Sequence, residues 1–162
     1  MSVIVEIQCL IGKNSQPIIK EMCFIPVSDP YRSDLYLLKP PHNWHCLDAK
    51  EKKTNVWLEK NYHRLKWSDG YAEYSELMDI LLMHTTEYSN VLSKGLEKSQ
   101  LLSNLLDREV INLDDYMPGK ISNFPLNEHF DCAYHGESNG ECAYKNALRI
   151  RQWLRKIRLF TE

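Results

Sequence analysis

The chain has 162 residues, 43% of them apolar, and a formal net charge of −2. That length supports a hydrophobic core without disulfide staples and predicts one domain over residues 1–162. The charge excludes a protein that coats nucleic acid through bulk positive charge, and no apolar run reaches the roughly 18 residues that a membrane span needs. Five cysteines, at 9, 23, 46, 132 and 142, form an odd and scattered set. They suit free thiols and a metal site in a reducing compartment better than a disulfide framework. The opening Met-Ser-Val-Ile-Val-Glu lacks the basic flank of a signal peptide. The expectation is an intracellular protein, cytoplasmic or nuclear, with no membrane partner.

Residues 3–11 (VIVEIQCLI) are β-branched and mostly apolar, which predicts a strand with Glu6 and Gln8 on one face. A turn at 12–15 leads to a second strand at 18–27 and a third at 35–39, stopped by Pro40-Pro41. Short connections make these three an antiparallel meander, with Cys9 and Cys23 as core thiols. Residues 48–62 have helical spacing, with Asp48 as N-cap and Val56, Trp57 and Tyr62 on the apolar side. A second helix over 74–84 carries a stripe of Leu77, Ile80, Leu81 and His84, the last a satisfied core or boundary histidine. Alternation follows: a strand at 90–93, a helix at 96–106 and a strand at 110–113. A loop-rich stretch broken by Pro118, Gly119 and Pro125 then leads to a final helix over 143–160.

Before that last helix, Cys132, His135 and Cys142 follow one another as Cys-x2-His-x6-Cys. The intervening Gly136, Asn139 and Gly140 let the backbone fold back on itself. Thiolate and imidazole donors converging from a tight loop suit Zn²⁺, and a helix N-terminus at Cys142 favours the thiolate. Three donors do not close a structural site. Either a distant side chain supplies the fourth or the position stays open to water.

The element order β-β-β-α-α-β-α-β-loop-α resembles that of the ribonuclease-H-like fold, an α/β architecture with a mixed five-stranded sheet flanked by helices. Val3-Ile-Val-Glu-Ile-Gln8, Lys94-Gly95 opening a helix and Ala147 on the last helix resemble DnaQ-type 3′–5′ exonucleases of the DEDDh class. Lys39-Pro-Pro41, Asn55-x-Trp57-Leu58, Asn61-Tyr-His63, Lys94-Gly95-x-Glu97-Lys98 and Asn112-Leu113-Asp114 resemble more closely a set of animal proteins with degenerate exonuclease-like domains. Active members of the class hold two divalent ions with four carboxylates. The resemblance puts Glu6 and Gln8 at the first pair of positions, Ser99 or its neighbour Lys98 at the next, Glu141 at the histidine and Asn146 at the last. One carboxylate in four remains, too few to offset two Mg²⁺ ions, so no canonical catalytic residue is expected.

With Glu97, on the helix that normally carries the second aspartate, the loop donors form a Glu-Cys-His-Cys set similar to that of the Maelstrom domain. That domain is a ribonuclease-H-like one that has lost its catalytic carboxylates and is associated with transposon silencing by small RNAs (piRNA). The resemblance implies that zinc held by Glu97, Cys132, His135 and Cys142 staples the final helix to the sheet; His129, Asp131 and Glu141 compete for the fourth position. It implies an RNA- or protein-binding module, with single-stranded RNA, a protein or both as partner. A weak single-strand RNA nuclease and a purely structural interaction domain are the alternatives.

The last helix carries Arg151, Arg155 and Arg158 among interleaved apolar residues, and Lys94 opens an earlier helix. These four are the candidate nucleic-acid or partner contacts, although the commoner use of such cations is a solvated helix face.

Overall fold

A computed structural model describes residues 1–126, 132 and 140–162 of the chain. Its centre is a five-stranded sheet in the order β3-β2-β1-β4-β5. Strand β1 (Ser2–Ile11) runs antiparallel to β2 (Pro17–Pro26), which runs antiparallel to β3 (Asp34–Leu37). On its other side β1 pairs in parallel with β4 (Asn90–Ser93), and β4 with β5 (Ile111–Asn112). The protein is therefore α/β with a mixed sheet, as the element order predicts. The helices are α1 (Ala49–Asn61), α2 (Leu77–Thr85), α3 (Leu96–Leu106) and α4 (Ala143–Ile157). No described helix is long and apolar enough to cross a membrane.

Strand alternation splits the core into two layers. Val3, Val5 and Ile7 face one side, where they pack with Met22 and Phe24 against Leu77, Ile80 and Leu81 of α2 and Leu102 and Leu106 of α3. Ile4, with Cys23 and Ile25 of β2, packs on the other side against Ala143, Ala147, Leu148, Ile150 and Leu154 of α4. Glu6 and Gln8 share Ile4's parity and stand opposite Cys23 and Glu21. Four polar or thiol side chains are thus buried on the α4 side of the sheet.

Two local features depart from the sequence reading. Helix α1 does not bury Val56, Trp57 and Tyr62, which are 38, 56 and 38% exposed. Its buried residues are Glu51 and Asn55. Asn55 receives the Ile11 N–H and donates to the Ile11 carbonyl, both at 2.7 Å, while Glu51 accepts from Ser15 N at 3.0 Å. The helix docks by satisfying the backbone where β1 ends, with Leu58 half-buried against Leu10, Ile18, Leu47 and Trp67, while Val56 and Trp57 are left outward; Asp48 caps it as predicted. Helix α4 stops at Ile157 rather than 160, because Arg158 adopts a left-handed conformation (φ 56°) and closes the last turn.

His84 is the satisfied boundary histidine expected, with the Tyr36 hydroxyl 2.7 Å from Nε2 and its ring stacked on Phe24. Cys23 is buried, and Cys9 is half-buried against the first core.

Candidate metal centre and the adjoining cleft

Where β1 and β4 run side by side, Glu6 is completely buried. A buried carboxylate needs donors and a compensating charge, and three groups supply them. The Lys94 N–H donates to Oε1 at 2.9 Å, the Ser93 hydroxyl to the same oxygen at 3.3 Å, and the Lys98 ammonium to Oε2 at 3.2 Å. The turn between β4 and α3 brings all three together. Gly95 enters α3 at φ 115°, a conformation that favours glycine, and Asn112 Oδ1 holds its N–H. Burial on its own lowers the affinity of Lys98 for its proton. Glu6, helped by Tyr62, more than offsets this and holds the ammonium above the ordinary lysine value.

Glu6 lies at the floor of a cleft of about 770 Å³ whose walls include Tyr62, Lys98, Asp114, Glu141 and Asn146. Of the residues that the exonuclease resemblance aligns with catalytic positions, Glu6, Lys98, Glu141 and Asn146 line this cleft, and Gln8 and Ser99 do not. Asn146 is buried, donates to Glu141 Oε2 at 2.9 Å and accepts from Arg149 at 3.3 Å. Ser99 is buried and turned to the Ser93 carbonyl at 3.4 Å. Lys98, rather than Ser99, reaches Glu6. Gln8 is also buried, and its Nε2 has no partner among the described residues. Lys94, expected as an anion contact, is turned inward: its ammonium binds Asp114 Oδ1 at 2.6 Å and the Met117 carbonyl at 2.7 Å.

Beneath the N-terminus of α4 lies the second feature. A carboxylate oxygen of Glu21 and the sulfurs of Cys132 and Cys142 all fall within 4.8 Å of one another, and all three residues are buried. Glu21 also accepts the Ala143 N–H at 2.5 Å, so a carboxylate from β2 caps the first turn of α4. A hydrogen bond that the Cys142 thiol makes to Cys132, with burial, pushes that thiol well above its usual value. Two sulfurs and a carboxylate are a donor set that can hold a metal ion, and a cation would displace the thiol protons.

The carboxylate of this group is Glu21, not Glu97. Glu97 sits on the exposed side of α3, whose apolar face is packed on the other layer of the sheet, and it borders the Glu6 cleft. Glu141 also borders that cleft, with its carboxylate on Asn146. His135, His129 and Asp131 lie outside the described residues. Sequence reasoning passed over Glu21. A lone acid two residues before Cys23 on a strand was the only signal available.

Of the arginines on α4, Arg151 donates to the main-chain carbonyl of Asp29 at 3.0 Å, while Arg155 and Arg158 are exposed. Arg158 forms the helix terminus and is not among the residues lining the clefts described here. Compared with protein-family models and with curated proteins, the sequence matches none of either.

Proposed function

We propose that this chain is a ribonuclease-H-like domain that acts by binding rather than by hydrolysis, with zinc fastening α4 to the sheet and single-stranded RNA as its partner. The observation that carries this reading is the occupation of Glu6. Two-metal hydrolysis needs several carboxylates free to take up divalent ions. Here the one carboxylate at that position already receives an ammonium at 3.2 Å and two further donors. A metal would have to displace Lys98 and would then find the amide of Asn146 where a second carboxylate is needed. An antiparallel β1–β2–β3 meander continued by parallel β4 and β5 supports the fold resemblance. A role in small-RNA control of transposons belongs to the same reading and rests on the resemblance to the Maelstrom domain.

Zinc suits the donor set, because thiolates select it over the hard cations. Glu21, Cys132 and Cys142 would be three of its ligands, and His135, in the Cys132-x2-His135 spacing, would be the fourth. Bound there, the ion would tie β2, the loop and the N-terminus of α4 at one point.

Two experiments test the proposal. Labelled single-stranded RNA incubated with the protein and Mg²⁺ or Mn²⁺ is expected to remain intact. Metal-dependent cleavage that disappears in Glu6→Gln would overturn the non-catalytic reading. Elemental analysis of the purified protein is expected to give one zinc per chain, lost in Cys142→Ala and weakened in Glu21→Gln; a wild-type protein without zinc would overturn the staple.

A further inference from the structure

A second cleft, of about 660 Å³, opens between residues 30–33, which join β2 to β3, and α4. Tyr31 and Arg32 form one wall, and Tyr144, Arg151 and Arg155 the other. Its charges are unevenly matched. Arg32 is balanced by Asp34 at 3.3 Å and Glu87 at 3.5 Å. Arg151 and Arg155 have no carboxylate within salt-bridge distance among the described residues, and Arg151 donates to a main-chain carbonyl instead. Burial, and then the neighbouring Arg155, push the Arg151 guanidinium below its ordinary value, and Tyr144 and Asp29 offset only part of this.

The geometry points to an elongated anion. Arg151 and Arg155 are one helical turn apart, about 6 Å along the axis, a spacing comparable with that of successive phosphates in an extended strand. Guanidinium forks bind phosphate oxygens in pairs. Across the cleft Tyr31 is 96% exposed, its N–H fixed by Asp29 Oδ1 at 2.9 Å. An aromatic ring set in solvent beside unmatched arginines is the combination that single-strand binders use: phosphates on cations and a base on the ring. An acidic peptide would engage the arginines and leave the tyrosines unused.

We propose that this cleft seats a single-stranded polynucleotide, with Arg151 and Arg155 on successive phosphates and Tyr31 stacking a base. The inference rests on the binding reading above and gives it a location away from the Glu6 cleft.

The test is fluorescence anisotropy with a labelled oligouridine of about 12 nucleotides, titrated at several salt concentrations. Arg151→Gln/Arg155→Gln should lose roughly tenfold or more in affinity, and its log–log salt slope should fall by about 1.4, the value for two single-strand phosphates. Tyr31→Ala should weaken binding about fivefold or more with the slope unchanged. Tyr31 and Arg155 lie at the surface and Arg151 is half-buried, so unaltered melting curves will confirm that each variant folds. If wild type binds RNA but the double variant keeps its affinity and slope, this placement is overturned while the binding reading stands. If wild type binds no RNA even at low salt, the RNA reading itself fails. Equal affinity for the oligodeoxythymidine of the same length supports the seat and removes RNA as the preferred strand. Binding of labelled polyglutamate that is lost in Arg151→Gln/Arg155→Gln, with no oligonucleotide binding, would assign the cleft to acidic polypeptide and overturn the proposal.

Discussion

Removing Lys98 should expose how much the internal ammonium contributes. At 3.2 Å, and with an effective dielectric of about 20, the attraction between Lys98 and Glu6 is about 5 kcal/mol before desolvation is counted. Truncating one partner of a buried pair leaves the other charge uncompensated, which costs about 3–5 kcal/mol. Glu6 keeps the Lys94 N–H and the Ser93 hydroxyl, and Lys98 is a quarter exposed. The lower end, about 3 kcal/mol, is therefore expected for Lys98→Ala. For a chain of this size that lowers Tm by about 6–12 °C. Urea unfolding at neutral pH, followed by tryptophan fluorescence, reads it directly. Replacing both partners by apolar residues, Glu6→Leu/Lys98→Met, should recover most of the loss, because no unpaired charge then remains. The pH behaviour has a fixed sign. The folded-state proton affinity of Lys98 is raised, so the stabilisation is fully present below the unfolded lysine value of 10.5 and fades only as pH rises through the higher folded value. A loss under about 1 kcal/mol in Lys98→Ala, or a double variant no better than the single one, would refute the view that Lys98 stands in for metal at Glu6.

Other titrating groups make further predictions. Burial lowers the proton affinity of His84 below its usual 6.5, with Asp34 offsetting part of the effect. The unfolded chain then binds the proton first, so stability falls as pH drops below about 6.5. His84→Gln should flatten that slope in a Tm-against-pH series. Lys20 is the extra residue where the β1–β2 register shifts, and its ammonium binds the carbonyls of Leu38, Trp67 and Asp69. Burial lowers its value from 10.5 to about 8, partly countered by Asp69. Stability should accordingly rise between about pH 8 and 10.5 relative to Lys20→Met, and equal slopes in the two proteins would contradict this. Gly140 sits so close to the chain that an added Cβ would lie 3.0 Å from the Tyr62 carbonyl oxygen and 2.7 Å from Arg64 Cγ. Gly140→Ala should destabilise by about 1–3 kcal/mol, measured by thermal unfolding.

The strands were legible because alternation and β-branched residues mark them whatever they later pack against. Helices α2 and α3 were legible because their apolar stripes are the faces they bury. The span of helix α1 and its Asp48 cap were legible as well, but its buried face was not, because it docks through Asn55 and Glu51 onto backbone groups. A hydrogen-bonded interface leaves no hydrophobic period in the sequence, so Trp57 drew the attention that Asn55 deserved. Lys98 and Ser99 are adjacent, and sequence spacing alone could not choose between them. Helix phase turns Ser99 inward to the Ser93 carbonyl, while the long Lys98 side chain reaches Glu6 from the rim.

Glu21 shows the same limit most clearly. The Cys132–Cys142 spacing announces soft donors, but a carboxylate joins them only because three separate registers agree. The pairing of β1 with β2 puts Glu21 opposite Gln8, on the face that α4 covers. Helix α4 crosses that face with its first turn over β2. Cys132 lies at the same point. Each condition is long-range, and none has a local signature. The sequence reading instead chose Glu97, which shares a cleft with Glu141 and Asn146 but lies on a helix committed to the opposite core. If zinc binds as proposed, Glu21→Gln should weaken it while Glu97→Gln leaves metal content unchanged. The reverse result would mean that α3 contributes to the centre in solution, and that the burial of Glu21 serves only to cap α4.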